Sequence, residues 1–567
     1  MLRRLRLIAP VGALATVAAC SSPAPQPSTG TTLATTPAIE ARSALPALED
    51  ASLATLQGWL AEGRISSRDL VAFHLARIAA LDRGEHGLHA VIEVNPGAMA
   101  IAELRDAERK AGQLRGPLHG IPVLVKDNIA TIGTGLEAME TTAGSLALVG
   151  HRPSADAFVV ERLRAAGAII LGKTNLSEWA NWRSTHAVSG WSARGGQTRN
   201  PYALDRNPCG SSSGSGVAVA ASLAPVAIGT ETDGSIVCPS AVNGIVGLKP
   251  TRGRVSRSGI IPIADSQDTA GPMARSVADA ALLLDVLAGR DAADAATAAL
   301  TAKRAAECFH CALDGASLKG VRIGVLRSMS RFLPAVEKRF DEAIAALKAA
   351  GAVIVDDVVL PHADDYTQDE FDVLAAEFKD GVERYLAGLD AGAPKRLADL
   401  IAFNADDADR ELPSFGQELF KLSAASPPIT DPKVRKARAR ALKLAGVDGI
   451  DAALKKDRLD VLIAPTGSPA WLTDHTLGDH FVGGNVSTAP AVAGYPHLTV
   501  PMGFVDGLPV GLSFVGPAWS EARLLRYGHA YERYTAHRRA PTMAAHAKPD
   551  RPATLDPDAP AATDTER

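Results

Sequence analysis

Pro208-Cys209-Gly210-Ser211-Ser212-Ser213-Gly214-Ser215-Gly216 is followed, after a short apolar interval, by Gly229-Thr230-Glu231-Thr232-Asp233-Gly234-Ser235-Ile236. Small residues let backbone amides approach a ligand closely. Consecutive amides in such turns form an anion-binding concavity. Two loops of this kind in one fold point to a nucleophile beside an oxyanion hole. A flexible linker would have a similar composition, but apolar helix and strand patterns bound these loops. Between them the spacing predicts a small-residue helix over Ser215–Leu223 and a strand at Val226-Ala227-Ile228.

The same alternation extends in both directions. Upstream, Leu53 to Ala80 reads as two helices about the turn Gly63-Arg64-Ile65-Ser66-Ser67, with Ser67 as N-cap of the second. Ala90–Val94 reads as a strand and Pro96–Leu114 as a helix. Ile121-Pro122-Val123-Leu124-Val125-Lys126 is an apolar strand ending on a lysine. A helix over Ala155–Ala166 and a strand over Ala168–Leu171 follow. Downstream, Ser276 caps a helix to Leu287, and Val321–Leu326 and Val461–Pro465 are further buried strands. The charged stretch Asp431–Lys456 reads as a solvated helical face. Strands alternating with helices imply an α/β fold whose sheet is covered on both faces.

Which side chain is the nucleophile is a separate question. Gly210-Ser211-Ser212-Ser213-Gly214 fits G-x-S-x-G, but that elbow needs an apolar strand directly before it. Leu204-Asp205-Arg206-Asn207-Pro208 is polar and proline-broken instead. Lys173-Thr174-Asn175 lacks the glycine of K-T-G, so the penicillin-binding pattern fails as well.

Taken together, Lys126-Asp127-Asn128, the Gly/Ser loop, Gly247-Leu248-Lys249-Pro250-Thr251, Gly271-Pro272-Met273-Ala274-Arg275-Ser276-Val277 and Gly507-Leu508-Pro509-Val510-Gly511-Leu512 resemble the amidase signature family. The form Glu231-Thr232-Asp233-Gly234-Ser235-Ile236-Val237-Cys238-Pro239 is most similar to its peptide amidases. It departs from the usual pattern, with Asp233 for the first of two glycines and Val237 for an arginine. The resemblance implies a large α/β/α unit around a mixed sheet and a Ser-Ser-Lys triad. Ser235 would be the nucleophile, Lys126 the base and one serine of the triple the bridge, preceded by a cis peptide. Aligning the family's Gly/Ser pattern selects Ser211, 24 residues before Ser235. The amides of Thr232, Asp233, Gly234 and Ser235 would face the oxyanion, and Ala180 would lie near the acyl pocket. No cofactor and no metal are implied. The expected activity is hydrolysis of linear amides, above all peptide C-terminal carboxamides, through an acyl-enzyme. The rival readings are the A-type component of an amidotransferase and a non-catalytic binding lipoprotein of the same fold.

Composition narrows partners and location. The 567 residues carry 59 basic and 63 acidic side chains, a net charge of −4. That balance argues against a nucleic-acid partner. Arg3, Arg4 and Arg6 precede a 13-residue apolar stretch, Leu7–Ala19, which is too short to span a bilayer and fits a secretory signal. Its end, Val17-Ala18-Ala19-Cys20, resembles a bacterial lipobox with Cys20 as the lipidated residue. The plain reading is a signal cut at a small-residue site. The expected organisation is a signal over 1–20, a Pro/Ser/Thr-rich tether over 21–46, the amidase domain over 47–543 and a disordered tail over 544–567. The lipid would be the sole membrane attachment of a periplasmic or cell-envelope protein, which argues against an amidotransferase component needing cytosolic partners. Cys308 and Cys311 fit a local disulfide or two surface thiols, and no second C-x-x-C completes a zinc site. Cys209 and Cys238 read as small packing residues.

Overall fold

Strand β2 (Pro122–Lys126) is buried along its whole length, and its side chains divide between two cores. Val123 and Val125 join one apolar cluster, while Leu124 joins the other. The neighbouring β6 (Val226–Glu231) repeats this, with Val226 and Ile228 on one side and Ala227 on the other. Such period-two division is what a sheet buried on both faces requires. Each fully buried Val or Leu contributes about 1.5–3 kcal/mol of transfer free energy. The computed structural model describes residues 46–132, 134–483 and 486–548. The expected signal with Cys20, tether residues 21–45 and tail residues 549–567 lie outside the described residues. Among the described residues no helix is long and apolar enough to cross a membrane.

The remaining strands in chain order are β1 (Val91–Val94), β3 (Ile169–Thr174), the short β4 (Trp191–Ser192) and β5 (Gly196–Gln197), β7 (Val246–Lys249), β8 (Thr269–Ala274), β9 (Arg322–Val325), β10 (Val353–Val355), β11 (Val461–Pro465), β12 (His497–Val505) and β13 (Leu508–Val515). Eleven of the described strands form one sheet in the order β1-β3-β2-β6-β8-β7-β12-β13-β11-β9-β10. The sheet is mixed: β3, β2 and β6 run parallel, as do β11, β9 and β10, with antiparallel pairing between. Helices α1 (Leu53–Ala61), α4 (Phe158–Ala165) and α7 (Val277–Leu287) bury leucine and valine in the Val123 core. Helices α2 (Ser67–Leu81), α3 (Ala98–Lys110) and α5 (Ser213–Ala220) pack into the Leu124 core. The expected α/β/α unit around a mixed sheet is therefore the observed one.

Local differences have identifiable causes. Ser66, not Ser67, caps α2: its side chain accepts from Asp69 N while Asp69 returns to Ser66 N. That reciprocal capping box satisfies two otherwise orphaned donors. The small-residue helix starts earlier than its composition indicates, at Ser213. Its glycines serve close packing. A Cβ on Gly214 would lie 2.2 Å from Ala90 O, so only glycine lets α5 seat against the end of β1. Cys209 and Cys238 are not separate packing residues. They form a disulfide, Cα–Cα 6.0 Å, tying the segment before α5 to α6 (Val237–Val242). Cys308 and Cys311 are also disulfide-bonded.

Candidate active site

Parallel strands β2 and β6 place Lys126 and Glu231 at neighbouring carboxyl ends, the usual ligand edge of an α/β sheet. Lys126 is fully buried. Its Nζ lies 2.7 Å from Ser211 Oγ, 2.9 Å from Thr230 Oγ1 and 3.3 Å from Thr230 O. Asn128 donates from Nδ2 to the same Thr230 hydroxyl at 3.0 Å. Burial pushes the Lys126 ammonium from its usual 10.5 down to about 7, against the opposing charges of Asp268 and Glu231. Nζ donates to all three oxygens. As the free amine it would keep two N–H groups for the Thr230 oxygens and offer its lone pair to the Ser211 hydroxyl.

The three serines of the triple have different tasks. Only Ser211 meets a lysine, and the Gly210–Ser211 peptide before it is cis. Ser212 is bound into β6: its hydroxyl donates to Thr230 O at 3.0 Å and accepts from Thr230 N at 3.1 Å. Ser213 donates to Cys209 O at 2.6 Å, closing the turn before α5. Two more lysines, Lys173 and Lys249, are fully buried. Lys173 Nζ reaches Thr141 Oγ1 and Ile129 O, and Lys249 Nζ donates to Pro250 O, so neither touches a serine of the triple.

Ser235 lies in the turn between β6 and α6. Its carbonyl accepts from Ser212 N at 3.1 Å, which joins the two Gly/Ser loops directly. It is 7% exposed, whereas Lys126 and Ser211 are at 0%, so of the three it is the one open to solvent. Glu231 shapes the turn, accepting on Oε2 from Ile236 N at 2.7 Å and Val237 N at 3.0 Å. Those two amides are thereby spent. Among the described residues no acceptor takes the N–H of Thr232, Asp233, Gly234 or Ser235, which stay available for an anion. Gly234 has φ +77°, a left-handed conformation that glycine adopts without strain. The Asp233 carboxyl turns away from the turn, accepting from Thr488 Oγ1 at 2.7 Å, and burial raises its pKa.

A cavity of about 430 Å³ opens beside this arrangement. Ser211, Thr230, Thr232 and Ala180 line it, with an apolar wall at Ile260–Ile263. Ala180 thus stands in the cavity wall, next to Trp179 in a left-handed turn. Sequence reasoning included Asn128 and Thr230 in its motifs without giving either a task, and it missed Asp268, which no local pattern marks because its partners are brought together only by the fold.

Amide-bond chemistry is what such a chain is built for, and comparison with known proteins agrees. The family model described as Amidase matches residues 69–525, and the chain belongs to the amidase signature family. It is a hydrolase acting on amide C–N bonds. Within the family, its fold is close to peptide amidase. A peptide amidase solved with the competitive inhibitor chymostatin is 54% identical, with TM-score 0.84, covering 87% of this chain and 99% of that one. The native peptide amidase of Stenotrophomonas maltophilia is likewise 54% identical, with TM-score 0.83, covering 88% and 99%. A probable amidase of Arabidopsis thaliana is 37% identical over 88% of this chain and 92% of its own length. The A-type component of the glutamyl-tRNA(Gln) amidotransferase of Symbiobacterium thermophilum is 38% identical over 82% and 96%.

Proposed function

We propose that the chain is an exported serine amidase that hydrolyses small linear amides, chiefly peptide C-terminal carboxamides, through a Ser235 acyl-enzyme. The observation that carries this reading is the 2.7 Å contact between the buried Lys126 amine and Ser211, which lines a cavity of about 430 Å³. Ser235 Oγ attacks the carboxamide carbon. Its proton passes to Ser211, whose own proton passes to Lys126. The amides of the turn Thr232, Asp233, Gly234 and Ser235 receive the developing oxyanion, each good donor worth about 3–4 kcal/mol. Collapse breaks the C–N bond, and ammonia leaves with the proton returned through Ser211. Water then attacks the acyl-enzyme by the same relay and releases the carboxylic acid. The similarity to peptide amidase supports the peptide carboxamide as substrate.

A panel of peptide carboxamides, free amino-acid amides and glutamine, read by ammonia release, tests the substrate. Peptide carboxamides should give the highest kcat/KM. Preference for glutamine would favour the amidotransferase-type reading.

The location rests on Arg3, Arg4, Arg6 and Val17-Ala18-Ala19-Cys20. Cys20→Ala should release the enzyme from membranes with its activity retained. Unchanged membrane fractionation of that variant would contradict lipidation at Cys20.

A further inference from the structure

Asp268 stands just before β8, in the wall of the same cavity. Its two oxygens accept three hydrogen bonds from two different segments. Oδ1 takes the Thr232 hydroxyl at 2.5 Å. Oδ2 takes Ile263 N at 2.8 Å and Ala264 N at 2.9 Å. Thr232 opens the turn that bears the available amides and Ser235. Ile263 ends the apolar cavity wall. One carboxylate therefore joins the turn that would hold the oxyanion to the surface that would hold the acyl group. We propose that Asp268 is a positioning residue, which fixes this turn against the cavity wall and keeps a negative charge beside the Lys126–Ser211 pair. The proposal rests on the reading of Lys126, Ser211 and Ser235 as the triad.

The charged and titratable groups about it come from several segments. Lys126 comes from β2 and Glu231 from β6. Arg257, held by Asp294 at 2.6 Å, comes from the loop before β8, with Asp265 beside it. Arg384 and Tyr385 come from the helix Thr367–Ala387. Of these, Arg257 acts on Asp268 as an opposite charge, while burial holds the Asp268 carboxyl up at about 6. The three hydrogen bonds and Arg257 favour the Asp268 carboxylate, and that negative charge favours the Lys126 ammonium.

Asparagine at 268 has one acceptor oxygen and an NH₂ group that cannot accept. It can serve Thr232 or the two wall amides, but not both, and it carries no charge. Asp268→Asn should lower kcat about tenfold or more, as misplacing an oxyanion donor does. Its acidic limb in kcat/KM should move to lower pH by about 0.5 unit or more, because the anion that favoured the Lys126 ammonium is gone. A merely structural role would lower Tm and leave that limb in place. Thr232→Val removes the tether and keeps the charge. It should lower kcat about fivefold or more, with KM within about twofold and the limb at its wild-type pH, and it carries the test if Asp268→Asn does not fold. Wild-type kcat in Thr232→Val, or an unmoved limb in a folded Asp268→Asn, would overturn the proposal. Lys126→Ala measured alongside separates the two readings: a wild-type limb in that variant refutes the triad and not Asp268 alone.

Discussion

Lys126→Ala should lower kcat/KM on the order of a thousandfold, the effect expected if the proposed general base for a weak hydroxyl nucleophile is removed. Wild-type kcat/KM should rise with pH through about 7, to which burial lowers the Lys126 ammonium. The sign follows from the contact with Ser211. Below that pH the ammonium donates to Ser211 Oγ and has no lone pair for its proton. Above it the free amine accepts. Lys126→Ala should abolish that limb together with the activity. Lys126→Arg should fail almost as badly, since guanidinium holds its proton throughout this range. The arginine would also have to fit where Lys126 is fully enclosed between Ser211 and Thr230. Steady-state rates measured from acidic to alkaline pH check both variants. An active arginine variant with the wild-type pH profile would assign the base elsewhere.

The second large effect separates two adjacent serines. Ser211→Ala should cost on the order of a hundredfold or more in kcat/KM, because in the proposed relay Ser211 carries the proton between Ser235 and Lys126. Ser212→Ala should retain substantial turnover. Its hydroxyl is engaged by the backbone of Thr230 on both sides, so its loss costs about 1–3 kcal/mol of stability. Kinetics on purified variants, paired with thermal unfolding, distinguish the outcomes. Full activity in Ser211→Ala with an inactive but folded Ser212→Ala would reverse the assignment.

Much of this architecture is legible in the amino-acid pattern alone. Strands β2 and β6 and helix α7 fall where their apolar patterns place them, since a strand buried on both faces leaves a continuous apolar run. Helix ends are less legible. Ser66 and Ser67 are both good caps by residue type, and only the position of Asp69 relative to Ser66 decides between them. The Gly/Ser loops announce an anion-binding turn, yet they hide their internal division of labour. Ser211, Ser212 and Ser213 are equivalent as letters, and β6 tells them apart by engaging Ser212. The Cys209–Cys238 bridge escapes a sequence reading because 29 residues separate its ends and each cysteine sits among small apolar neighbours. Buried Lys173 and Lys249 show the same limit. A lysine at the end of an apolar strand can be structural, and the serine contact singles out Lys126. Asp268 carries no local signature, because its partners Thr232, Ile263 and Ala264 meet only through the fold.

The central claim is that Ser235, reached through Ser211 from Lys126, becomes acylated. Treatment of the enzyme with a fluorophosphonate probe, followed by intact-mass and peptide mass spectrometry, tests it most directly. A single adduct mapping to Ser235, formed faster as pH rises through about 7 and slowed by Lys126→Ala, is the predicted result. An adduct on Ser211, Ser212 or another residue, or an active enzyme that acquires none, would contradict it.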